Sequence, residues 1–261
     1  MGSDIAARMQ SGMAIRKIVV TSPKGGTGKT TIAVNLAVAL ALSGITTYLV
    51  DADANAGSLQ YHLRLERVNT TMIGLLRREL AKPTTDTMAS VAAGAKYMNA
   101  FTTVDSLPTL KVLPGMITDD LGDEVLQQEE RVTEILSGLY ETGVAAGGVV
   151  IMDVGINPAH VVHRAALRLA EGIAIVIKPE IPDLAETRRW ITRMIGLMAS
   201  DVGREAAFEY IGSRVKLCYR VGLRQPGYGR WIQGCSPDAA RRIARRQDGT
   251  GAHSQRRHSH R

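Results

Sequence analysis

Cysteine and aromatic residues are scarce in this sequence. The 261 residues include two cysteines, Cys218 and Cys235, which lie far apart and outside any C-x-x-C spacing. That usage is typical of a reducing compartment, and it supports neither a disulfide framework nor a cysteine metal site. Aromatic residues make up 4% of the chain, which argues against a stacking platform for single-stranded nucleic acid.

Long apolar runs and export signals are missing as well. The longest apolar stretches have about ten to fourteen residues, whereas a membrane-spanning helix needs about 20. The N-terminal sequence "MGSDIAARMQSGM" lacks the apolar region of a signal peptide, and Ala6 stands where myristoylation requires Ser or Thr. We therefore expect a soluble, cytoplasmic protein in which residues 1–14 form a flexible N-terminus.

Positive charge is concentrated at the C-terminal end. The formal net charge is +7, and residues 222–261 carry all of it with nine arginines, two acids and no lysine. Their composition favours a disordered basic tail. Such a tail can bind DNA phosphates without sequence preference, although a solvated tail explains the arginines equally well. The segment "DAARRIARRQ" offers one isoleucine, so we expect no stable membrane anchor.

Strand and helix patterns alternate along residues 15–221, which we take as one domain. Apolar, β-branched runs predict strands at 16–22, 45–53, 109–115, 147–153, 172–179 and 213–221. Helical patterns occupy 30–44, 70–83, 121–139, 158–171 and 182–199. Strands that are apolar on both faces and alternate with helices indicate an α/β fold, a three-layer α/β/α arrangement with a mostly parallel sheet. Residues 84–106 are poorly patterned, and we expect a loop with a short helix there.

The stretch "SPKGGTGKTT" (22–31) matches the phosphate-binding pattern G-x-x-x-x-G-K-[ST], with Pro23 in place of the first glycine. A predicted strand precedes it and a predicted helix follows, which is the context of a P-loop NTPase and disfavours an ordinary glycine turn. Backbone N–H groups and the positive end of the helix would surround phosphates. The predicted nucleotide-binding residues are Gly25, Gly26, Thr27, Gly28, Lys29, Thr30 and Thr31.

Charged side chains near this loop predict ATP and Mg²⁺ as cofactors. Lys29 would neutralise the β- and γ-phosphate oxygens, and the Thr30 hydroxyl would bind Mg²⁺. Asp153 ends the run "GGVVIMD", the pattern of a Walker B acid that holds Mg²⁺. Gly155 would let a backbone N–H approach the γ-phosphate. Asp51 and Asp53 end another strand and project to the same side, with a solvated loop acid or a helix cap as the alternative.

The motif "KGGTGKTT" (24–31), with Asn35, Leu36 and Ala37 in the next helix, resembles the deviant Walker A motif of the ParA/MinD family. The "VDAD" and "VVIMDVG" segments are similar to the switch I and switch II regions of that family. The resemblance covers about residues 15–220. The pilus-positioning branch (TadZ/CpaE-like) and the partition branch both match, and "SPKGG" leans towards the former.

This resemblance implies a role for each matched residue. Lys24 corresponds to the signature lysine, which reaches across a dimer to the partner's nucleotide. Asp53 matches the acid that orients or activates the attacking water, so Lys24, Lys29 and Asp53 are the expected catalytic residues. Asp51 would support the metal, alongside Thr30 and Asp153.

The implied function is a slowly hydrolysing ATPase switch that forms a homodimer on ATP and positions cellular cargo through an unidentified cargo or activator protein. A localisation protein that binds ATP without hydrolysis is the alternative. A metallocentre-insertion ATPase is opposed by the cysteine pattern.

The sequence departs from the family at two places. The asparagine expected after the late strand, where it would contact adenine, is replaced by Tyr219-Arg220. The strand and helix that normally follow are replaced by the arginine-rich tail. His160 and His163 are predicted to be helix-surface histidines rather than metal ligands.

Overall fold

A computed structural model of the chain describes residues 15–53, 57–83, 96–115, 128–178 and 180–219. Its strands are β1 (Lys17–Thr21), β2 (Thr47–Ala52), β3 (Thr102–Val104), β4 (Leu107–Leu113), β5 (Val149–Val154), β6 (Gly172–Ile177) and β7 (Val215–Tyr219). Its helices are α1 (Lys29–Leu42), α2 (Leu59–His62), α3 (Met72–Leu80), α4 (Glu129–Ala145), α5 (Val161–Leu169), α6 (Ile181–Val202) and α7 (Arg204–Arg214). Segments 1–14 and 222–261, for which we predicted a flexible N-terminus and a tail, lie outside the described residues.

The strands form one sheet in the order β3-β4-β2-β5-β1-β6-β7. All neighbours are parallel except β3 and β4, which pair antiparallel at one edge. Every residue of β2 and of β5 is buried, as expected for strands covered on both faces. The mostly parallel sheet predicted from the sequence is confirmed, and β1, β2 and β5 end side by side at its carboxyl edge.

Helices cover both faces of this sheet, which confirms the three-layer architecture. On one face, Ile32 and Leu40 of α1 share a buried cluster with Leu49 of β2. On the other, residues of α3, α4, α5 and α6 form a larger cluster with Tyr48 and Val50 of β2. Neighbouring residues of one strand thus enter opposite cores, because strand side chains alternate between faces.

Most element predictions agree with the structure, but three elements were missed. In the 84–106 region, the described part contains a 3-10 turn at Met98–Ala100 followed by β3. The short α2 and the helix α7 also had no prediction. Of the helical pattern predicted at 121–139, residues 121–127 lie outside the described residues, and the described helix, Glu129–Ala145, continues beyond the predicted end.

Among the helices of the described residues, none has both the length and the apolar character needed to cross a bilayer.

Candidate functional site

The loop between β1 and α1 has the backbone geometry of an anion-binding turn. Gly26 and Gly28 have φ of +71° and +90°, a left-handed conformation that favours glycine. Gly28 is the N-cap of α1, without a side-chain cap hydrogen bond, and the first turn of the helix has no acidic residue. A Cβ added at Gly25, Gly26 or Gly28 would meet nothing within 4 Å. The helix N-terminus therefore faces open space with N–H donors, as phosphate binding requires.

Side chains of the loop add to this arrangement. The Ser22 hydroxyl donates to the Lys24 carbonyl at 2.8 Å, which closes the turn that contains Pro23. The Thr27 hydroxyl oxygen is buried and has no hydrogen-bond partner among the described residues. A buried polar atom without a partner is costly, and a phosphate oxygen in the loop would satisfy it.

Lys29 lies between two carboxylates. Its Nζ is 3.0 Å from Asp53 Oδ2 and 3.1 Å from Asp153 Oδ1. Burial lowers the pKa of the Lys29 ammonium, but the charges and hydrogen bonds of Asp153 and Asp53 outweigh it, so the pKa is raised above its ordinary value. The Thr30 side chain also hydrogen-bonds to Asp153. The pKa of Asp153 is raised overall, because the effect of burial exceeds the opposing effect of the Lys29 charge. The structure thus brings together Lys29, Thr30, Asp53 and Asp153.

Asp51 has backbone partners. Its Oδ2 accepts the N–H groups of Ser58 at 2.8 Å and Leu59 at 3.2 Å, and its Oδ1 accepts the Asp53 N–H at 3.3 Å. Burial, with a smaller contribution from the Asp153 charge, raises the pKa of Asp51 to about 6. This carboxylate therefore joins the backbone of Asp53 and the start of α2 to the end of β2, and its role as a metal ligand stays a prediction.

Lys24 is at the rim of the loop, with its side chain 56% exposed. Its Nζ lies 3.2 Å from Oδ1 of Asp183, a 4%-exposed acid in the first turn of α6. The other carboxylate oxygen of Asp183 is buried with no hydrogen-bond partner among the described residues. Sequence reasoning missed Asp183. An acid in the first turn of a helix is common because it complements the helix dipole, so position alone did not single it out.

His163 is a core residue, and the prediction that it lies on a helix surface is wrong. Its side chain is 0% exposed, since α5 turns this side towards the sheet. The ring makes hydrogen bonds with the Gly155 N–H and the Asn157 carbonyl. Burial, with a further contribution from His160, lowers the pKa of His163 to about 4. His160, the N-cap of α5, is partly exposed.

Two further side chains hold the loop that follows β5. The Thr21 hydroxyl donates to the Gly155 carbonyl at 3.1 Å, and the Trp190 indole N–H donates to the Ile156 carbonyl at 2.7 Å. Trp190 belongs to α6, so the helix that contacts Lys24 through Asp183 also contacts this loop. Neither contact had a signal in the sequence, because both join residues far apart in the chain.

The residues present fit a nucleotide with Mg²⁺ better than a metal held by protein alone. No group of three or more His, Cys, Asp or Glu suited to a metal occurs in the described residues. Mg²⁺ is usually held by one or two carboxylates together with substrate phosphates and water, which Asp153 and the Thr30 hydroxyl suit. The adenine contact that the sequence left open beside Tyr219 involves Arg220, which is outside the described residues.

Comparison with known proteins agrees with this geometry. Residues 18–197 match the family model described as the CobQ/CobB/MinD/ParA nucleotide binding domain. The chain belongs to this family. The ParA/MinD resemblance seen in the sequence is confirmed, and with it the assignment as a nucleotide-binding P-loop protein.

Similar proteins include a septum site-determining protein MinD from Thermotoga maritima, 29% identical over 69% of this chain and 57% of the relative. Among solved structures, MinD complexed with Mg-ADP from Pyrococcus horikoshii has a TM-score of 0.52 at 23% identity, covering 87% of this chain and 76% of that one. A ParA family ATPase from Chlorobium tepidum has a TM-score of 0.54 at 18% identity, covering 88% and 80%. Both structures show the shared fold. The ParA/MinD-family chain described here spans 65% and 57% of the length of two curated relatives.

Proposed function

We propose that this protein is an ATP-driven switch that dimerises on ATP, hydrolyses it slowly and thereby positions cellular cargo. The observation that carries the proposal is the placement of two lysines around one phosphate loop. Lys29, whose side chain is 11% exposed, lies between Asp53 and Asp153, whereas Lys24 is half-exposed at the rim. One lysine is thus suited to the nucleotide of its own chain and the other to a second chain.

The roles of the chain's own groups follow from their positions. The N–H groups of the loop and of the first turn of α1 would bind the β- and γ-phosphates. Lys29 would turn from its carboxylates to the phosphate oxygens, and Thr30 and Asp153 would hold Mg²⁺. The metal supplies charge neutralisation on the transferred phosphoryl group. Asp53 would accept a hydrogen bond from the attacking water and orient it.

Dimerisation would need Lys24 to exchange partners. In the single chain its ammonium pairs with Asp183, but the lysine side is well exposed, so water screens the pair and it contributes little stability. A phosphate on a second chain would offer a stronger, charge-assisted set of acceptors. Lys24 would then complete the partner's site, which makes the active unit a homodimer.

A second candidate, an ATP-binding localisation protein without turnover, is favoured by the missing asparagine beside Tyr219. We further propose a cytoplasmic location and a cargo or activator protein as partner. The cargo would be a pilus or secretion apparatus, a plasmid or chromosome, or a division site. The preference for the pilus-positioning branch stays a prediction from the sequence.

Light scattering with ADP and with ATP tests the proposal. We expect the wild type to be monomeric with ADP and dimeric with ATP. Lys24→Ala should bind nucleotide but stay monomeric, because the contact to the second nucleotide is lost. Asp53→Ala should form a dimer that persists, because hydrolysis no longer resets it. Lys111→Ala, on the distant strand β4, serves as the charge-matched control and should behave as wild type.

Normal dimerisation of Lys24→Ala would rule out the role of that lysine across the dimer. Phosphate release separates the two candidate functions. Tight ATP binding with no release, with and without DNA, would favour the localisation protein over the ATPase.

A further inference from the structure

The amide of Gly155 points into the protein core, towards a histidine. Its nitrogen is 3.1 Å from Nε2 of His163. The other ring nitrogen, Nδ1, is 2.8 Å from the Asn157 carbonyl, which can only accept a hydrogen bond. Nδ1 therefore carries the proton, and Nε2 is the acceptor of the Gly155 N–H. This fixes the imidazole in one neutral tautomer.

Gly155 is also close to Asp53, the carboxylate that pairs with Lys29. A Cβ placed on it would lie 2.3 Å from Cε1 of His163 and 2.7 Å from Oδ1 of Asp53. Asp53 in turn holds Lys29. Gly155 is thus close both to the histidine and to the carboxylate that pairs with Lys29. Its N–H is engaged by the histidine.

We propose that His163 is a positioning residue that competes with the terminal phosphate of ATP for the Gly155 N–H. This rests on the proposed function, since it assumes that the loop binds ATP. ADP has no γ-phosphoryl group and leaves the bond to His163 in place. ATP would take the N–H by rotation of the Val154–Gly155 peptide, which the absence of a Cβ at Gly155 permits. His163 therefore sets how strongly the site prefers ATP over ADP.

Two substitutions separate this role from a merely structural one. In His163→Asn, the shorter amide can still donate to the Asn157 carbonyl near the position of Nδ1, but the Gly155 N–H loses its acceptor. In His163→Gln, the longer amide places an oxygen near the position of Nε2 and keeps that acceptor. The two variants differ by one methylene group and by the presence of an acceptor for the Gly155 N–H.

The readout is the ratio of the dissociation constants for Mg-ADP and for the Mg complex of the β,γ-imido analogue of ATP, by titration calorimetry. We expect this ratio to rise about threefold to tenfold in His163→Asn, the worth of one neutral hydrogen bond. It should stay within about twofold of wild type in His163→Gln. An unchanged ratio in His163→Asn, or an equal rise in both variants, would overturn the proposal.

A measurement on the wild type does not depend on whether the variants fold. The nitrogen–nitrogen coupling across the Gly155–His163 hydrogen bond should be present without nucleotide and with ADP, and lost at saturation with the ATP analogue. Coupling that persists with the analogue bound would overturn the competition and leave the proposed function intact. A wild type that binds neither nucleotide would instead remove the proposed function, and this role with it.

Discussion

Two buried side chains near the phosphate loop have pKa values displaced in opposite directions. The pKa of Asp51 is raised to about 6 and the pKa of His163 is lowered to about 4, and burial is the largest cause of both shifts. In each case burial favours the neutral form. The groups facing His163 are His160, whose ring centroid is 4.7 Å away, and the charges of Asp53 and Lys29.

These shifts predict how stability depends on pH. The unfolded chain protonates His163 near pH 6.5, whereas the folded chain does so near pH 4. Between these values only the unfolded state takes up the proton, so the stability present above pH 6.5 falls as the pH falls to 4. The raised pKa of Asp51 increases stability as the pH falls over part of this range. The contribution of His163 is therefore measured as the difference in unfolding free energy between the wild type and a variant that lacks the histidine.

We expect His163→Gln to lose less stability than wild type on acidification. The free energy of unfolding of wild type should fall relative to the variant by up to about 3 kcal/mol between pH 6.5 and 4. Urea denaturation at several pH values in this range measures it. A constant difference between the two proteins would contradict a depressed pKa for His163.

At the scale of single residues, the sequence predicted those side chains whose role follows from a local sequence pattern. Lys29 and Thr30 could be assigned because the loop and helix fix their geometry locally, and Asp153 because it ends an apolar strand. Asp183 and His163 could not, because their partners Lys24 and Gly155 are reached only through the tertiary fold. A histidine in an amphipathic helix has no sequence mark that distinguishes a core acceptor from a surface group.

At the scale of elements, α4 approaches the sheet through a glycine. A Cβ at Gly143 would lie 2.3 Å from Cγ2 of Val150 and 2.9 Å from Cδ2 of Tyr48, both in the buried core. Gly196, in the interior of α6, is exposed and would meet nothing within 4 Å. The two glycines therefore offer the same substitution in opposite surroundings.

Gly143→Ala should lower the free energy of unfolding by about 1–3 kcal/mol, because the added methyl overpacks the contact between α4 and the sheet. Gly196→Ala should raise it by about 0.5–1 kcal/mol, because alanine favours the helix and nothing obstructs it. Denaturant unfolding of both variants beside the wild type is the measurement. Stabilisation by both would show that α4 can move away from the sheet at little cost.

The missed elements had weak local signals. β3 has three residues and is defined by antiparallel pairing with β4, which a short sequence window does not reveal. In α7, Ala207 and Ile211 are buried, but Gly212 lowers the helical propensity. The parallel strands were predictable because complete burial requires continuous apolar runs.

At the scale of the whole molecule, the DNA-binding interpretation of residues 222–261 can be tested in the full chain. Replacing Arg241, Arg242, Arg245 and Arg246 by glutamine removes four positive charges. If all four contact phosphates, the slope of log K against log salt should become shallower by about 3 to 4. Lysine at the same positions is the matched control and should keep the slope. An unchanged slope in the glutamine variant favours the solvated tail.

The charge within the site leads to a further prediction. Lys29 contributes one positive charge to a cluster in which Asp53 and Asp153 contribute two negative ones. A nucleotide polyphosphate entering alone would meet uncompensated carboxylates. We expect removal of Mg²⁺ with a chelator to weaken ATP binding by at least about tenfold, the lower part of the range for linked sites. Asp153→Asn should reduce this dependence, and calorimetry with and without the metal measures both.

The cluster of Lys29, Asp53 and Asp153 also bears on how the binding of nucleotide and of metal depend on each other. Because the coupling between two ligands of one protein is reciprocal, the factor by which Mg²⁺ tightens ATP must equal the factor by which ATP tightens Mg²⁺. From the ion pairs of Lys29 we therefore expect nucleotide and metal to bind cooperatively. We expect the site to bind the two as one complex, so the occupied fraction of the protein should follow the concentration of the Mg–ATP complex.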